Sequence, residues 1–237
     1  METRSERTQP PVLAAHGLAA VNDLAMRLGA RPQADGPTVT LRQSGRIRQD
    51  VDSKWMVFNA RQTISTVAAS FDWRAQTGLL GTVLARASYN QGHGDTGVRL
   101  LGLVPLSPNI DSTALSRGEL IRYLAELAWA PDALLCNSGL RWRNGGPKRL
   151  IVGAGAKDKA VEIALDLDKH GRIASAYAVD RPRAVKGGFS PTQWRVRFSD
   201  FRHHLGRWIP FSGEAGWVID GTYAICWECR IHDWRIQ

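Results

Sequence analysis

Residues 193–232, QWRVRFSDFRHHLGRWIPFSGEAGWVIDGTYAICWECRIH, alternate large apolar side chains with polar or charged ones. A period of two places successive side chains on opposite faces of a β-strand. The first run has apolar side chains at every second position: Trp194, Val196 and Phe198. Leu205-Gly206 and Asp220-Gly221 separate the runs, and Asp-Gly favours a tight hairpin because both positions tolerate positive φ. This stretch therefore predicts long antiparallel strands joined by hairpins.

The same alternation recurs upstream, between residues 38 and 105 and again after residue 140. Five earlier strands are predicted, at Thr38–Gln43, Lys54–Ala60, Ser70–Ala75, Gly81–Arg86 and Val98–Leu103. A helix is predicted between the two sets of strands, and the total is about eleven strands. The fold class is mainly β (α+β), and we expect a curved antiparallel half-barrel.

The helix is predicted over residues 116–129. Ser116 and Glu119 have capping-box spacing, and Pro131 ends the segment. Its apolar stripe consists of Leu120, Leu124 and Leu127. Since a curved sheet exposes its concave face unless something fills it, we expect this helix to be a plug in that face.

Two regions are predicted. Residues 1–35 form a disordered leader, 1–11, and a short N-terminal helix over 12–29, where Leu13, Leu18 and Leu24 have helical spacing. Residues 36–237 form a single half-barrel domain. No stretch of about 20 apolar residues predicts a transmembrane helix. The N-terminus lacks a secretory pattern, and the expected location is the cytoplasm.

The amino-acid composition excludes several classes of protein. The 237 residues are 43% hydrophobic and 22% charged, which excludes a disulfide miniprotein or a wholly disordered chain. The net charge is +9, but the cations are dispersed and no nucleic-acid motif is present. The pairs Arg46/Arg48, Arg141/Arg143 and Arg195/Arg197 are two apart and predict a solvated outer face. At most a peripheral membrane contact is expected.

No cofactor and no metal site is predicted. Cys226 and Cys229 match C-x-x-C spacing, but on a regular strand positions three apart point to opposite faces. His203-His204 lies at a hairpin tip, and His93 lies in a loop without a second ligand nearby. The glycine-rich stretch 153–157 lacks the G-K-[ST] ending of a phosphate loop and is interpreted as a hairpin.

Nine tryptophans are many for this length. Five of them are predicted to line a ligand cavity on the concave face: Trp73, Trp129, Trp194, Trp217 and Trp227. Large amphipathic rings suit the wall of an apolar pocket. They equally suit a packed core, and the sequence leaves both interpretations open.

The candidate catalytic residues lie on the helix. Arg122, Tyr123 and Glu126 are the best polar constellation, because a carboxylate beside an apolar wall has a raised pKa and can act as an acid or base. The alternative is that Glu126 pairs with Arg122, its i+4 partner, and anchors the helix.

A resemblance adds to these inferences. Residues 117–131, RGELIRYLAELAWAP, resemble the RYLAE-x-x-W-x-P helix of a bacterial family of unknown function. Segments 58–62, 71–75, 194–202 and 206–210 fit the same family. Its members distantly resemble periplasmic lipoprotein-carrier half-barrels with a helical plug. Ala87 replaces an aspartate that the family pattern leads us to expect before Ser88-Tyr89. The resemblance implies a fold and an apolar cavity, and no activity.

Three functions follow as hypotheses. The first is binding of an apolar or amphipathic small molecule, such as a lipid, in the tryptophan-lined cavity. The second is a cofactor-independent enzyme of isomerase or cyclase type that uses the same cavity. The third is an interaction scaffold that uses a sheet edge or the basic face. The oligomeric state is left open.

Overall fold

The computed structural model describes residues 12–32, 36–50, 52–77, 82–100, 104–105 and 112–237. The predicted leader, 1–11, lies outside them. The helices are α1 (Val12–Leu28), α2 (Ser112–Ala125) and α3 (Ala133–Cys136), with 3-10 turns at Glu126–Ala128 and Lys157–Lys159. None of the described helices has the length and apolar character needed to cross a membrane.

The described strands form one antiparallel sheet. The first six are β1 (Thr38–Ile47), β2 (Met56–Ser65), β3 (Phe71–Thr77), β4 (Val83–Asn90), β5 (His93–Leu100) and β6 (Val104–Pro105). The other seven are β7 (Arg141–Gly146), β8 (Arg149–Ala154), β9 (Val161–Leu167), β10 (Ile173–Val185), β11 (Gly188–His204), β12 (Arg207–Ile219) and β13 (Thr222–Ile236). Their order is β6-β5-β4-β3-β2-β1-β13-β12-β11-β10-β9-β8-β7.

The sheet curves around α2. This helix packs against β4 and β5 near one edge of the sheet and against β8, β9 and β10 near the other. One helix can touch both groups only if the sheet curls, so α2 occupies the concave face. The predicted half-barrel with a helical plug and a short N-terminal helix is confirmed, with thirteen strands instead of about eleven.

Hairpin chemistry explains why β5 begins at His93. Gln91 and Gly92 have φ of 48° and 85°, which suits a two-residue turn, and Asn90 pairs directly with His93. The strand that the sequence placed at Val98–Leu103 therefore begins earlier, and the loop predicted at His93 is wrong. Leu205-Gly206 and Asp220-Gly221 repeat the same positive-φ pair, as their sequences predict.

The helix start was also wrong. α2 begins at Ser112, so Ser116 lies inside the helix and is not its N-cap. The Ser116 Oγ instead accepts a hydrogen bond of 2.8 Å from the Gly94 amide, which fixes α2 to β5. The capping-box pattern, a serine followed three positions later by a glutamate, depends only on local sequence. In the structure the serine hydroxyl is used instead in a contact between α2 and β5.

One end of the half-barrel, the closed end, is sealed by helices. The buried face of α1, with Val21, Leu24 and Leu28, packs near β7, β8, β12 and α3. Asp132, fully buried before α3, accepts hydrogen bonds of 3.2 and 2.7 Å from Arg207 of β12. The Trp234 Nε1 donates to the Trp129 carbonyl oxygen at 2.8 Å. The domain bounds, 1–35 and 36–237, stay a prediction.

The opposite end, the mouth, carries the β1–β2 loop and the β10–β11 and β12–β13 hairpins. Arg48 Nε of the β1–β2 loop donates to the Ile225 carbonyl oxygen at 2.8 Å. Asp50 Oδ1 of the same loop lies 3.6 Å from Arg183 Nη1 on β10. The loop therefore reaches across the mouth.

Arginines cover the outer face, as their spacing predicts. Three of them form cross-strand ion pairs there: Arg46 with Glu228, Arg143 with Glu162, and Arg197 with Glu214. Each of these guanidinium groups remains half-exposed or more, so such pairs contribute little to stability.

The C-x-x-C segment lies on β13, as predicted, but the strand is not regular there. Trp227 pairs with Ala215 and Ile225 with Gly216, which leaves Cys226 as the extra residue of a bulge. The argument from regular alternation therefore does not apply to this pair. Both cysteines are free, and burial raises the pKa of both thiols.

Candidate functional site

Four charged side chains meet in the concave interior: Glu119, Arg122, Glu126 and Arg181, which we call the interior charge cluster. Arg122 Nε donates to Glu126 Oε1 at 2.7 Å. Glu119 lies farther from its partners, with Oε2 3.8 Å from Arg122 Nη1 and Oε1 3.6 Å from Arg181 Nη2. Both glutamates are only 6% exposed, so the cluster is an interior feature.

Helix geometry brings three of these residues together. Glu119, Arg122 and Glu126 are spaced i, i+3 and i+7, which places them on one side of a helix. Arg181 comes from β10, where pairing with β11 shifts between Ala178 and Arg181. Its Nε donates to the Gly118 carbonyl oxygen at 3.2 Å, which fixes β10 to α2.

Two glutamines extend the cluster into the sheet. Gln62 Nε2 donates to Glu126 Oε2 at 2.5 Å, and Gln43 Nε2 donates to Gln62 Oε1 at 2.9 Å. Gln43 is 2% exposed and Gln62 is 1% exposed. Glu126 thus has hydrogen-bond donors on both carboxylate oxygens, and it anchors α2 to β2.

Three buried polar atoms near this network lack a hydrogen-bond partner among the described residues. They are Glu119 Oε2, Trp73 Nε1 and Gln43 Oε1. Gln62 pairs with Trp73 across β2 and β3, so the Trp73 indole lies beside the hydrogen-bonded pair Gln43 and Gln62. Buried polar groups in proteins are almost always paired, so each orphaned one calls for a specific explanation, such as an ordered water, an ion or a functional role.

Burial and opposite charges compete in setting the pKa values of the cluster. Desolvation raises the pKa of Glu119, although Arg122 and Arg181 oppose it. Desolvation lowers the pKa of Arg181, and Glu119 opposes it only in part. For Arg122, burial acts downward but Glu126 and Glu119 outweigh it, so its pKa is raised. Burial thus acts on the Glu119 carboxyl in favour of its protonated form.

Aromatic rings surround both arginines. The Arg122 guanidinium carbon lies 4.8 Å from the ring centre of Phe71 and 5.3 Å from that of Trp73. The Arg181 guanidinium carbon lies 4.3 Å from the ring centre of Trp194 and 5.5 Å from that of Trp217. These distances are within cation–π range, so the rings hold each guanidinium in place.

The structure divides the five predicted tryptophans into two groups. Trp73, Trp194 and Trp217 face the interior charge cluster. Trp227 stacks on Phe58 at 6.3 Å and meets Trp129 edge-on at 6.2 Å. Trp129 is 2% exposed and donates from Nε1 to the Pro210 carbonyl oxygen at 2.9 Å, so it has the contacts of a core residue.

The three residues predicted as catalytic do not form one constellation. Arg122 and Glu126 pair with each other. Tyr123 is turned away, and its hydroxyl donates to the Ser65 carbonyl oxygen at 3.2 Å and accepts from Asn137 Nδ2 at 2.9 Å. Burial raises the pKa of this phenol, so it acts as a structural anchor. The buried carboxylate oxygen without a hydrogen-bond partner among the described residues is Glu119 Oε2.

Sequence reasoning did not identify Glu119, Arg181, Gln43 and Gln62 as site residues. The signal for the glutamines was available, because each occupies an apolar phase of an alternating strand: Gln43 follows Val39 and Leu41, and Gln62 lies between Ala60 and Ile64. Arg181 carried no such signal, since a break in the β10 pairing decides which face it takes.

A second concave feature lies on the other face of the sheet. It is an open groove of about 550 Å³ across β10 to β13, and its polar lining includes Ser199, Ser212, Glu214 and Glu228. None of the five tryptophans lines it. Among the described residues, no group of three His, Cys, Asp or Glu side chains is arranged to hold a metal ion.

Comparison with solved structures finds similar chains, one of which aligns with a TM-score above 0.5 and supports the fold. A DUF1329 family protein from Desulfovibrio piger aligns with a TM-score of 0.52 at 9% identity, over 94% of this chain and 92% of that one. A candidate outer membrane lipoprotein-sorting protein domain from Vibrio parahaemolyticus aligns with a TM-score of 0.42 at 11% identity, over 94% and 93%. A LolA superfamily protein from Nitrosomonas europaea aligns with a TM-score of 0.47 at 8% identity, over 91% and 92%. At such identities the likeness concerns the fold alone.

Comparison with curated proteins finds no significant match. Residues 21–229 match a family of unknown function, DUF6544, and this span includes the C-terminal part of α1, the helical plug and the interior charge cluster. The family resemblance expected from the RYLAE-x-x-W-x-P helix is thereby confirmed, and the chain belongs to the family of unknown function DUF6544.

Proposed function

We propose that the concave interior binds an amphipathic small molecule, with its polar head at the interior charge cluster and its apolar part against the indoles of Trp194 and Trp217. The observation that carries this proposal is the pair of largely buried arginines, 17% and 15% exposed, each lying within cation–π distance of an indole ring. Ligand sites combine an apolar wall with a few convergent polar groups, and this interior has both.

The orphaned polar atoms support the same proposal. Glu119 Oε2 is an acceptor and Trp73 Nε1 is a donor, and both are buried without a partner among the described residues. An unpartnered buried polar group costs about 1–3 kcal/mol. A ligand head that donates to one and accepts from the other offsets that cost.

The charged groups of the interior favour a ligand whose polar head is held by both hydrogen bonds and ion pairs. Arg181 donates one hydrogen bond, from Nε to Gly118, among the described residues. Its terminal nitrogen Nη2 lies 3.6 Å from Glu119 Oε1, just beyond hydrogen-bond distance. A planar guanidinium with free donors is suited to an oxygen-rich head.

Native mass spectrometry of the purified protein, with organic extraction and identification of any bound molecule, tests the proposal. We expect one amphiphile per chain in wild type and a reduced bound fraction in Arg181→Gln. Arg149→Gln, whose parent side chain pairs with Asp166 on the outer face, is the matched control and should retain the wild-type fraction.

A titration followed by tryptophan fluorescence covers the case in which the ligand is lost during purification. Palmitate, hexadecanol and hexadecyltrimethylammonium serve as probes below their micelle concentrations. If no molecule is extracted and none of the three probes changes the fluorescence, the proposal is wrong.

A further inference from the structure

We infer that the head of the bound amphiphile is a carboxylate, and that it binds together with one proton shared with Glu119. This inference rests on the proposed function, because it names the ligand class of the same site. It goes further in specifying the charge of the ligand and the protonation that accompanies binding.

The charge count of the interior supports a proton. Arg122 and Arg181 carry two positive charges, and Glu119 and Glu126 carry two negative ones, so the cluster is neutral when all four are ionised. A carboxylate added alone would bring an uncompensated charge into a largely buried site, which is strongly unfavourable. One added proton restores neutrality.

The geometry indicates where that proton lies. Both oxygens of Glu126 already accept hydrogen bonds, from Arg122 Nε at 2.7 Å and from Gln62 Nε2 at 2.5 Å. Among the described residues Glu119 accepts no hydrogen bond, and nitrogens of Arg181 and Arg122 lie 3.6 and 3.8 Å from its oxygens. Its unpartnered Oε2 is therefore the atom that can share a proton with a second carboxyl group.

The surroundings of Glu119 contain few other titratable groups. On α2 it faces Arg122 and Glu126, and on β10 it faces Arg181. Asp180, next to Arg181 on β10, forms an ion pair with Arg117, with 2.6 Å between Oδ2 and Nη2. The interior positions of the other packed strands are apolar or neutral: Tyr89 on β4, Leu150 and Val152 on β8, and Ile163 and Leu165 on β9. On β5, His93 and Asp95 are exposed.

The proposed step is balanced without any further reactant. The carboxylate arrives from solution as an anion, and solvent supplies the proton that forms one O–H bond. The ligand carboxyl and Glu119 then share this proton, while Arg122 and Arg181 supply donors to the outer oxygens. Trp73 Nε1 is a further donor beside the head. No carbon bond forms or breaks.

Calorimetric titration at neutral pH, in two buffers of different ionisation enthalpy, tests this directly. We expect palmitate to bind at least about tenfold more tightly than hexadecanol, since charge-assisted hydrogen bonds are the stronger kind. We expect uptake of about one proton per palmitate. Glu119→Gln should abolish the uptake while palmitate still binds, because the amide supplies its own N–H donor.

Arg181→Gln should remove the preference for palmitate over hexadecanol, and Arg149→Gln on the outer face should leave it unchanged. The wild-type titration tests the inference even if a variant does not fold. Equal affinity for palmitate and hexadecanol, or palmitate binding without proton uptake, would overturn this inference and leave the proposed function standing. Failure of all three probes to bind would remove both.

Discussion

Asp50 and Arg183 form an ion pair, with 3.6 Å between Oδ1 and Nη1, although β13, β12 and β11 separate β1 from β10 in the sheet. Such a contact is possible only across the concave side. The β1–β2 loop therefore crosses the mouth of the half-barrel, and any molecule that enters the interior from this end must pass it.

The loop contact predicts a kinetic effect. Asp50→Asn should speed palmitate association two- to fivefold, because a partly exposed ion pair contributes about 0–1 kcal/mol. Stopped-flow tryptophan fluorescence measures the rate. Asp200→Asn, which removes the exposed pair with Arg202 on the outer face, should leave the rate unchanged. An unchanged rate in Asp50→Asn would indicate that the mouth is not the entrance.

Glu119 of α2 and Glu126 of the 3-10 turn after it should differ in how much stability the protein loses when each is replaced by glutamine. Glu126→Gln replaces an acceptor of two short hydrogen bonds and leaves Arg122 without its closest counter-charge, so we expect a loss of about 2–4 kcal/mol. Glu119→Gln removes a carboxylate that accepts no hydrogen bond from the described residues, although it also takes away the counter-charge that lies 3.6 Å from Arg181, so we expect a smaller loss than for Glu126→Gln. Urea unfolding of both variants measures the difference, and equal losses would contradict the assignment of Glu126 as the anchor.

Much of the architecture could be predicted because apolar and polar residues alternate along the strands. Leu205-Gly206 and Asp220-Gly221 indicate hairpins through local backbone preference. Chemistry inside the half-barrel could be predicted less well. Arg181 faces inward through an irregularity in strand pairing, and Ser116 gives its hydroxyl to the Gly94 amide. Both depend on contacts distant in sequence, which no local pattern contains.

The sequence places the candidate catalytic residues on the helix that carries Glu119 and Arg122 of the interior charge cluster. It names Glu126 as the candidate acid or base, with Tyr123 beside it, and offers pairing of Glu126 with Arg122 as the alternative. The i, i+4 pairing with Arg122, which was the alternative, is what the structure contains. Glu119 carries the features expected of Glu126, because its neighbours on β10 and α2 lie just beyond hydrogen-bond distance.

The closed end depends on one buried ion pair. Asp132→Asn should destabilise the protein by about 3–5 kcal/mol, because it leaves the buried Arg207 guanidinium without its counter-charge. Asp166→Asn, which disrupts a half-exposed pair with Arg149, should cost less than about 1 kcal/mol. Thermal unfolding of the two variants provides the comparison, and similar costs would be inconsistent with a structural role for Asp132.

Glu119 should also give the unfolding free energy a specific pH dependence. Its pKa is raised in the folded protein, mainly by burial, above the value of 4.5 that it has when unfolded. The folded state therefore binds the proton more tightly than the unfolded state. Its contribution to stability is fully present below pH 4.5 and is lost as the pH rises through the folded pKa.

Glu119→Gln removes this titration, so the stability of the variant relative to wild type should increase as the pH rises from about 4 to 7. Urea unfolding at several pH values measures the difference between the two proteins. A difference that is constant with pH, or that falls as pH rises, would mean that Glu119 ionises in the folded protein at least as readily as in the unfolded chain, and would contradict the raised pKa of Glu119.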